Sequence, residues 1–144
     1  MNTRGKFFSW FSKESSKCGS ILAVDDDFAI RVILCNVLKR NFDITVVGNG
    51  IEALLWLKKG HSPDVIISDI SMPRLNGFDF LESLSQSGLY NKTPVVILSG
   101  QEKSSVEAQV FNYSNPVTFI PKPFDPLKIE SHITRIIERK GCLT

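Results

Sequence analysis

Residues 65–77 read VIISDISMPRLNG, an apolar run that stops at Asp69 and is followed by a loop rich in turn-forming residues. The β-branched residues that open this run are typical of a central strand buried on both faces of a sheet. Asp69 therefore lies where a strand is predicted to end, which in open parallel sheets is the edge that holds the ligand crevice. Aspartate also commonly starts a turn, so this position alone leaves both a functional and a structural interpretation open.

A second predicted strand also ends in acidic residues. The apolar run ILAV at residues 21–24 is followed by Asp25, Asp26 and Asp27. Asp27 is predicted to cap the next helix, which leaves Asp25 and Asp26 without a capping role. If the two strands are neighbours, these carboxylates crowd Asp69 and raise one another's pKa unless a cation neutralises them. The pattern favours a Mg²⁺ site over the alternative, an acidic capping cluster left in solvent.

The rest of the chain alternates strands with helices. Further strands are predicted at residues 44–47, 93–98 and 117–120, and helices at 27–40, 51–59, 77–86, 102–111 and after Asp125. This alternation predicts an α/β fold, a flavodoxin-like doubly wound parallel sheet of five strands in the order 2-1-3-4-5 with five helices. The buried stripes are expected at Ile30, Ile33, Leu34, Val37 and Leu38 in the first helix, and at Val106, Val110 and Phe111 in the fourth.

The chain resembles the receiver domain of two-component response regulators from about residue 19 to about residue 139. The residues that carry the resemblance are Asp25 and Asp26 after ILAV, Asp69 in SDISMPRLNG, Ser99 after VVIL and Lys122 in FIPKPF. They occur in the family's order, and each follows a predicted strand. The resemblance implies that Asp69 accepts a phosphoryl group from a phosphohistidine on a sensor histidine kinase or a histidine phosphotransfer protein.

The resemblance also implies how the phosphoacceptor site is built. Asp26, Asp69 and the backbone carbonyl of Ser71 would hold Mg²⁺, with Asp25 contributing through a water molecule. Lys122 would place its charge on the phosphoryl oxygens, and the peptide bond that follows it, before a proline, is expected to be cis.

The resemblance further implies that two residues, Ser99 and Phe119, control the conformation of the output surface. Ser99 would move toward the phosphoryl group, and Phe119 would turn into the space that it leaves. The surface of the fourth helix, the fifth strand and the fifth helix would then change shape for a downstream protein target, and a homodimer through this surface is compatible with the sequence. Phe119 lacks the hydroxyl of the tyrosine found in many relatives. The family usually carries a Gly-Ala pair before the fifth strand, whereas this chain reads FNYSNPVTF, and Asn115 and Pro116 predict a differently shaped loop. These departures concern the output surface and leave the phosphorylation site intact.

Length and composition predict one domain preceded by a basic segment. The 144 residues suffice for a single ordinary domain, assigned to residues 19–140 with a short tail at 141–144. Residues 1–18 contain several aromatic residues together with four basic residues and one acidic residue. They are expected to form a flexible extension, and a helix that docks on a membrane surface or a partner is the alternative.

Several function classes are disfavoured by the composition. After residue 18 the chain has 13 basic and 14 acidic residues, which argues against nucleic-acid binding. No segment is long and apolar enough to predict a membrane span, and a separate DNA-binding output domain has no room. The three scattered cysteines match neither a metal site nor a disulfide framework, which indicates a reducing compartment, and a cytoplasmic location and a bacterial source are expected.

These features predict a stand-alone response regulator, a signalling module and not an enzyme. A receiver-like docking module that is never phosphorylated is the main alternative, although the intact set of five site residues argues against it. A Mg²⁺-dependent phosphohydrolase on the same fold would need a second catalytic acid near Asp69, and Ser71 is not one. A flavin-binding protein would need a phosphate-binding loop after the first strand, where three aspartates would repel the phosphate.

Overall fold

A computed structural model of the chain describes residues 17–139. These residues form five strands and five helices in strict alternation, as the sequence predicts. The elements are β1 (Ser20–Val24), α1 (Phe28–Leu38), β2 (Asp43–Val47), α2 (Gly50–Lys58), β3 (Val65–Asp69), α3 (Gly77–Gln86), β4 (Val95–Ser99), α4 (Lys103–Val110), β5 (Val117–Pro121) and α5 (Pro126–Arg139).

The strands form one parallel sheet in the order β2-β1-β3-β4-β5, which confirms the predicted flavodoxin-like topology. Strands β3 and β4 are buried along their whole length, as their apolar sequences predict. One hydrophobic layer packs α1 and α5 against one face of the sheet, and a second layer packs α2, α3 and α4 against the other. The carboxyl ends of all five strands therefore meet at one edge.

Short polar side chains start four of the helices. Asp27 accepts the backbone N–H of Ala29 at 2.8 Å, as predicted for α1, and Asn49 and Asn76 cap α2 and α3 in the same way. Asp125 accepts the N–H of Leu127 at 3.0 Å at the start of α5. Within the described residues no side chain caps α4. Helix α4, with eight residues, is also the shortest of the helices in residues 17–139, so the local sequence supports it least.

Two predicted core residues lie at the surface. Ile33 is 38% exposed because it is one residue, about 100° around the helix, from the buried Leu34. Phe111 is 75% exposed because α4 ends at Val110, and Phe111 follows the last turn instead of facing the sheet. Conversely, Phe42 and Phe80 are fully buried although the helical and strand periodicity did not single them out.

The predicted N-terminal extension and C-terminal tail fall largely outside the residues that the structure describes. The aromatic segment at residues 1–16 and the tail at 140–144 lie outside the described residues. None of the described helices has both the length and the apolar character needed to cross a membrane.

Candidate functional site

The strand ends bring four predicted site residues to one edge of the sheet. Asp25 directly follows β1, Asp69 ends β3, Ser99 ends β4, and Lys122 directly follows β5. The strand register aligns these ends, since Asp69 pairs with Leu98 and Ser99 pairs with Pro121. Residues far apart in the sequence therefore share one crevice, as the predicted topology requires.

Three carboxylates form a compact acidic cluster in this crevice. One oxygen from each of Asp25, Asp26 and Asp69 lies within 4.8 Å of the others. Asp25 and Asp69 are buried, at 1% and 6% exposure, while Asp26 is exposed to solvent. The cluster therefore has a closed side against the sheet and an open side from which a ligand can enter.

Lys122 reaches into the cluster from the end of β5. Its Nζ lies 3.0 Å from Oδ2 of Asp25 and 3.4 Å from Oδ1 of Asp69. Its backbone N–H donates to the carbonyl of Ser99 at 2.9 Å, and the Lys122–Pro123 peptide bond is cis, as expected. The lysine thus supplies a positive charge beside the carboxylate predicted to be the phosphoacceptor.

The charges of Asp25, Asp69 and Lys122 shift the pKa values of Asp69 and Lys122. Burial and the charge of Asp25 raise the pKa of Asp69, although Lys122 and the N–H of Ile70, which Asp69 Oδ1 accepts at 2.7 Å, act in the other direction. Burial lowers the pKa of Lys122, but the hydrogen bond to Asp25 and the charges of Asp25 and Asp69 outweigh it, so that this pKa is raised. Lys122 is therefore a firmly charged ammonium, and Asp69 is a carboxylate whose negative charge is poorly compensated.

The residues of the cluster fit a hard divalent cation. They offer carboxylate oxygens, and the open side continues into a cleft of about 410 Å³ lined by Asp26, Ser71 and Asn76, among other residues. Mg²⁺ prefers a few oxygen ligands and keeps several water molecules, which the exposed position of Asp26 and Ser71 allows. The donor set and the room beside it therefore match the predicted metal.

Ser99 ends β4 at the same edge as the cluster, whereas Phe119 lies two residues before the end of β5. Ser99 is 1% exposed and its Oγ accepts the N–H of Gln101 at 3.0 Å, while Gln101 Nε2 approaches Ser71 Oγ at 3.4 Å. Phe119 is half-buried on the α4 side of β5, opposite Ile97 of β4. In the described part of the chain no hydrogen bond joins Ser99 to the three carboxylates.

Two residues that the sequence analysis missed shape the backbone around the cluster. A Cβ atom at Gly77 would lie 2.2 Å from the backbone oxygen of Asp69, so only glycine lets α3 start this close to the end of β3. Arg31 Nη1 donates to the backbone oxygen of Asp25 at 2.7 Å and so holds the loop after β1. Gly77 ends a turn-rich loop, so its structural role could have been predicted from the sequence. No feature of the local sequence distinguishes Arg31 from other arginines.

Comparisons with known proteins agree with this geometry. The family model described as "Response regulator receiver domain" matches residues 21–134. The solved receiver domain of the Francisella response regulator 1452 is 28% identical, with a TM-score of 0.74 over 85% of this chain and 98% of that one. The chemotaxis protein CheY4 of Vibrio cholerae is also 28% identical, with a TM-score of 0.75 over 81% and 97% of the two chains.

The curated relatives are longer than this chain. Response regulator Rre1 of Synechocystis sp. is 30% identical over 123 residues, which cover 84% of this chain and 52% of the relative. The 3′,5′-cyclic-nucleotide phosphodiesterase regA of Dictyostelium discoideum is 29% identical over 126 residues, which are 15% of its length. The chain thus spans about half the length of these relatives or less. The family model and the receiver structures show that this chain belongs to the response regulator receiver domain family of two-component signalling.

Proposed function

We propose that Asp69 accepts a phosphoryl group from a phosphohistidine on a sensor histidine kinase or a histidine phosphotransfer protein. The arrangement of charges around Asp69 is the observation that carries this proposal. The carboxylate ends a buried central strand, lies within 4.8 Å of Asp25 and Asp26, and has Lys122 Nζ 3.4 Å away. A carboxylate can act as a nucleophile, and phosphoryl transfer depends mainly on positioning and on neutralising charge.

In the proposed reaction a carboxylate oxygen of Asp69 forms a bond to phosphorus while the bond from phosphorus to the donor's imidazole nitrogen breaks. The electron pair of that bond leaves with the imidazole, and the product is an acyl phosphate. Lys122 would compensate charge on the transferred oxygens, and the hydroxyl of Ser99 would donate to one of them. Asp25, Asp26, Asp69 and the carbonyl of Ser71 would hold Mg²⁺, which when bound offsets the negative charge of the carboxylates and the phosphoryl group.

The phosphoryl group would act on the output surface through Ser99 and Phe119. The acyl phosphate would carry about two negative charges where the Asp69 carboxylate carries one, beside a cluster whose negative charge is poorly compensated. This increase favours a packing that brings hydrogen-bond donors toward the phosphoryl group. Movement of the Ser99 hydroxyl would free space for the half-buried Phe119 to turn inward. We propose that this population shift alters the surface of α4, β5 and α5 for a downstream protein target. Homodimer formation through that surface stays a prediction.

Receiver domains generally act as signalling modules, although regA, one of the relatives, bears the name of a phosphodiesterase. We propose that this chain is also a signalling module. It would act by binding a protein partner and would catalyse no reaction on a small-molecule substrate. A stand-alone protein and a cytoplasmic location, which the scattered cysteines support, stay predictions.

Intact mass spectrometry after incubation with acetyl phosphate or phosphoramidate tests the phosphoacceptor. We expect a gain of one phosphoryl group that depends on Mg²⁺ and is absent in Asp69→Asn. Asp79→Asn is the matched control, because it removes an exposed carboxylate from α3 and should leave the gain intact. If the wild-type protein binds Mg²⁺ and gains no mass, the proposal is wrong and a docking module that is never phosphorylated replaces it.

A further inference from the structure

A groove lined mainly by apolar side chains lies beside α4, away from the acidic cluster. It has a volume of about 350 Å³, within the range of ligand pockets, and lies between α4, the loop after it and β5. Three aromatic residues border it: Phe111 is exposed, and Tyr113 and Phe119 are half-buried. Its floor includes the buried residues Val106 and Val110. A flat, apolar side chain is therefore the kind of group that this groove accommodates.

One of the residues that line the groove, Asn115, has a buried polar atom without a partner. Asn115 is 5% exposed, and its Nδ2 donates to the carbonyls of Tyr90 at 2.8 Å and Thr93 at 2.9 Å. These two bonds fix the orientation of the amide, so its Oδ1 faces the other way. Within residues 17–139 this Oδ1 is the one buried side-chain polar atom that has no hydrogen-bond partner. A buried acceptor of this kind is costly unless a donor reaches it.

One acidic residue lines the groove, and two others act on the charge state of Tyr113. Glu107 lines the groove, and Glu82 and Asp79 lie close enough to Tyr113 that they add to the effect of burial in raising the pKa of its hydroxyl. Glu107 has one partner among the described residues, Lys103 at 4.0 Å, and both side chains are largely exposed. The groove thus favours an occupant that combines apolar rings with positive charge and offers a hydrogen-bond donor.

The first 16 residues of the chain have this chemistry. They carry Phe7, Phe8, Trp10 and Phe11 with three basic residues and one acidic residue. The described chain begins at Lys17, whose Nζ donates to the carbonyl of Lys39, and it enters β1 at the amino edge of the sheet. Asn115 precedes β5 at the same edge, three strand spacings or about 14 Å from the start of β1. Cys18 packs on the α1 and α5 face of the sheet, so the segment must also pass around the amino edge to reach the groove on the α4 face. Trp10 lies seven residues before Lys17, and seven extended residues reach up to about 25 Å.

We propose that the segment at residues 1–16 docks within its own chain into the groove beside α4, with the indole ring of Trp10 between α4 and β5. Trp10 is the one aromatic residue of this segment that carries an N–H donor and no acceptor, which suits the unpartnered Oδ1 of Asn115. This oxygen is buried, so residues that line the groove must shift for the indole to reach it. A second copy is a poorer occupant of the groove, because the effective concentration of a tethered segment is much higher.

Docking at this place would occupy part of the output surface. Phe119 lines the same groove. If Phe119 is the switch residue, as proposed above, the segment competes with a downstream partner until phosphorylation changes the groove. Docking itself needs no phosphoryl transfer, so we expect it to persist in Asp69→Asn.

Tryptophan fluorescence of the full chain tests the docking. The chain has two tryptophans, so Trp56→Phe leaves Trp10 as the only one. In this background we expect Trp10 to emit at shorter wavelength than in urea-unfolded protein and to be several-fold less accessible to acrylamide. Phe111→Ser removes an exposed ring from the groove and should restore quenching, whereas Leu89→Ser, at a residue that is 83% exposed and outside the groove, should not.

Methyl NMR gives a second readout on the groove itself. The methyl signals of Val106 and Val110 should shift between the wild-type protein and Trp10→Ala, and Trp10→Phe, which keeps a ring and loses the donor, should reduce the docked-to-free ratio by about fivefold. Full acrylamide access of Trp10 in the single-tryptophan protein would overturn the proposal. So would protection that appears only at concentrations where a dimer forms, or only on addition of anionic phosphatidylglycerol vesicles.

Discussion

Replacement of Asp69 by asparagine is expected to stabilise the metal-free protein. Asp69 is 6% exposed, and burial and the charge of Asp25 raise its pKa. A raised carboxyl pKa means that the folded protein disfavours the charged form more than the unfolded chain does. Asparagine keeps the shape of the side chain and can still accept the N–H of Ile70, but it carries no charge. The substitution therefore removes a cost of folding.

Coulomb energies set the size of this effect. At an effective dielectric constant of about 20, unit charges 4.8 Å apart repel by about 3.5 kcal/mol, which applies to buried Asp25. The attraction of Asp69 to Lys122 Nζ at 3.4 Å is about 5 kcal/mol on the same scale. The repulsion from Asp25 and from exposed Asp26, whose charge is screened by solvent, offsets this attraction. The free-energy cost of burying the Asp69 carboxylate then remains. We expect a net gain of about 1–2 kcal/mol and a rise in Tm of about 3–6 °C.

Mg²⁺ should reverse the order of the two proteins. A cation at 100 times its Kd adds about 2.7 kcal/mol to the free energy of unfolding of a protein that binds it only when folded. The Asp69→Asn variant lacks one of the three carboxylates of the cluster and should gain less. Thermal unfolding followed by circular dichroism, in EDTA and then in saturating MgCl₂, measures both differences.

The pH dependence of the free energy of unfolding gives a further check on the sign of the Asp69→Asn effect. Because the pKa of Asp69 is raised above its ordinary value of 3.8, the folded protein takes up this proton at a higher pH than the unfolded chain does. Between the two pKa values the folded state binds more protons, so this group makes the wild-type protein more stable as the pH falls. The advantage of Asp69→Asn in EDTA should therefore be largest near neutral pH and shrink as the pH falls through the raised pKa.

Asp43→Asn is the matched control for the change in charge. Asp43 is an exposed carboxylate at the start of β2, at the opposite edge of the sheet from the cluster. Its replacement should change the free energy of unfolding by less than about 0.5 kcal/mol with or without Mg²⁺. The reasoning is refuted if Asp69→Asn has a lower Tm than the wild-type protein in EDTA while Asp43→Asn is unchanged.

Three further substitutions, each measured by urea unfolding in EDTA, test residues that support the acidic cluster or the loop before β5. Lys122→Met leaves Asp25 buried without its 3.0 Å partner and should cost about 2–3 kcal/mol, and phosphorylation followed by intact mass should slow at least tenfold. Gly77→Ala forces a Cβ against backbone at 2.2 Å and should cost about 3 kcal/mol, whereas Gly88→Ala, with open space around it, should cost less than about 1 kcal/mol. Asn115→Ala leaves two carbonyls without its amide donor and should cost about 2 kcal/mol, and a neutral result would contradict its role in the loop.

The site could be predicted from sequence because its residues follow regular elements. Short apolar runs identify β1 and β3, and a parallel sheet places the residues after such strands at one edge. Asp25 and Asp69 therefore come together for a reason that local sequence contains, once the strand order is known. The cap at Asp27 is local in the same sense, since it depends on a residue two positions away.

Other features depend on contacts that no local pattern contains. The bond from Arg31 to the carbonyl of Asp25 joins a polar helix residue to a loop, and many arginines have the same local setting without such a bond. Asn115 was identified as a departure from the family, but its buried amide is explained by carbonyls more than 20 residues away. Ile33 shows a third limit. Apolar periodicity locates the buried face of a helix, but it does not decide whether a residue at the edge of that face is buried.

The fold supplies the stability that the site lacks. Two buried carboxylates, a third at the rim and one ammonium would separate in an unconstrained chain, because their charges do not balance. They stay together because β1, β3 and β5 end at one edge of a sheet whose strands and helices bury most of the apolar side chains. A cation or a change in the charge of Asp69 therefore acts on a cluster whose charges are already unbalanced. Small chemical changes there can shift the packing equilibrium, since a two-state surface needs only a few kcal/mol to respond.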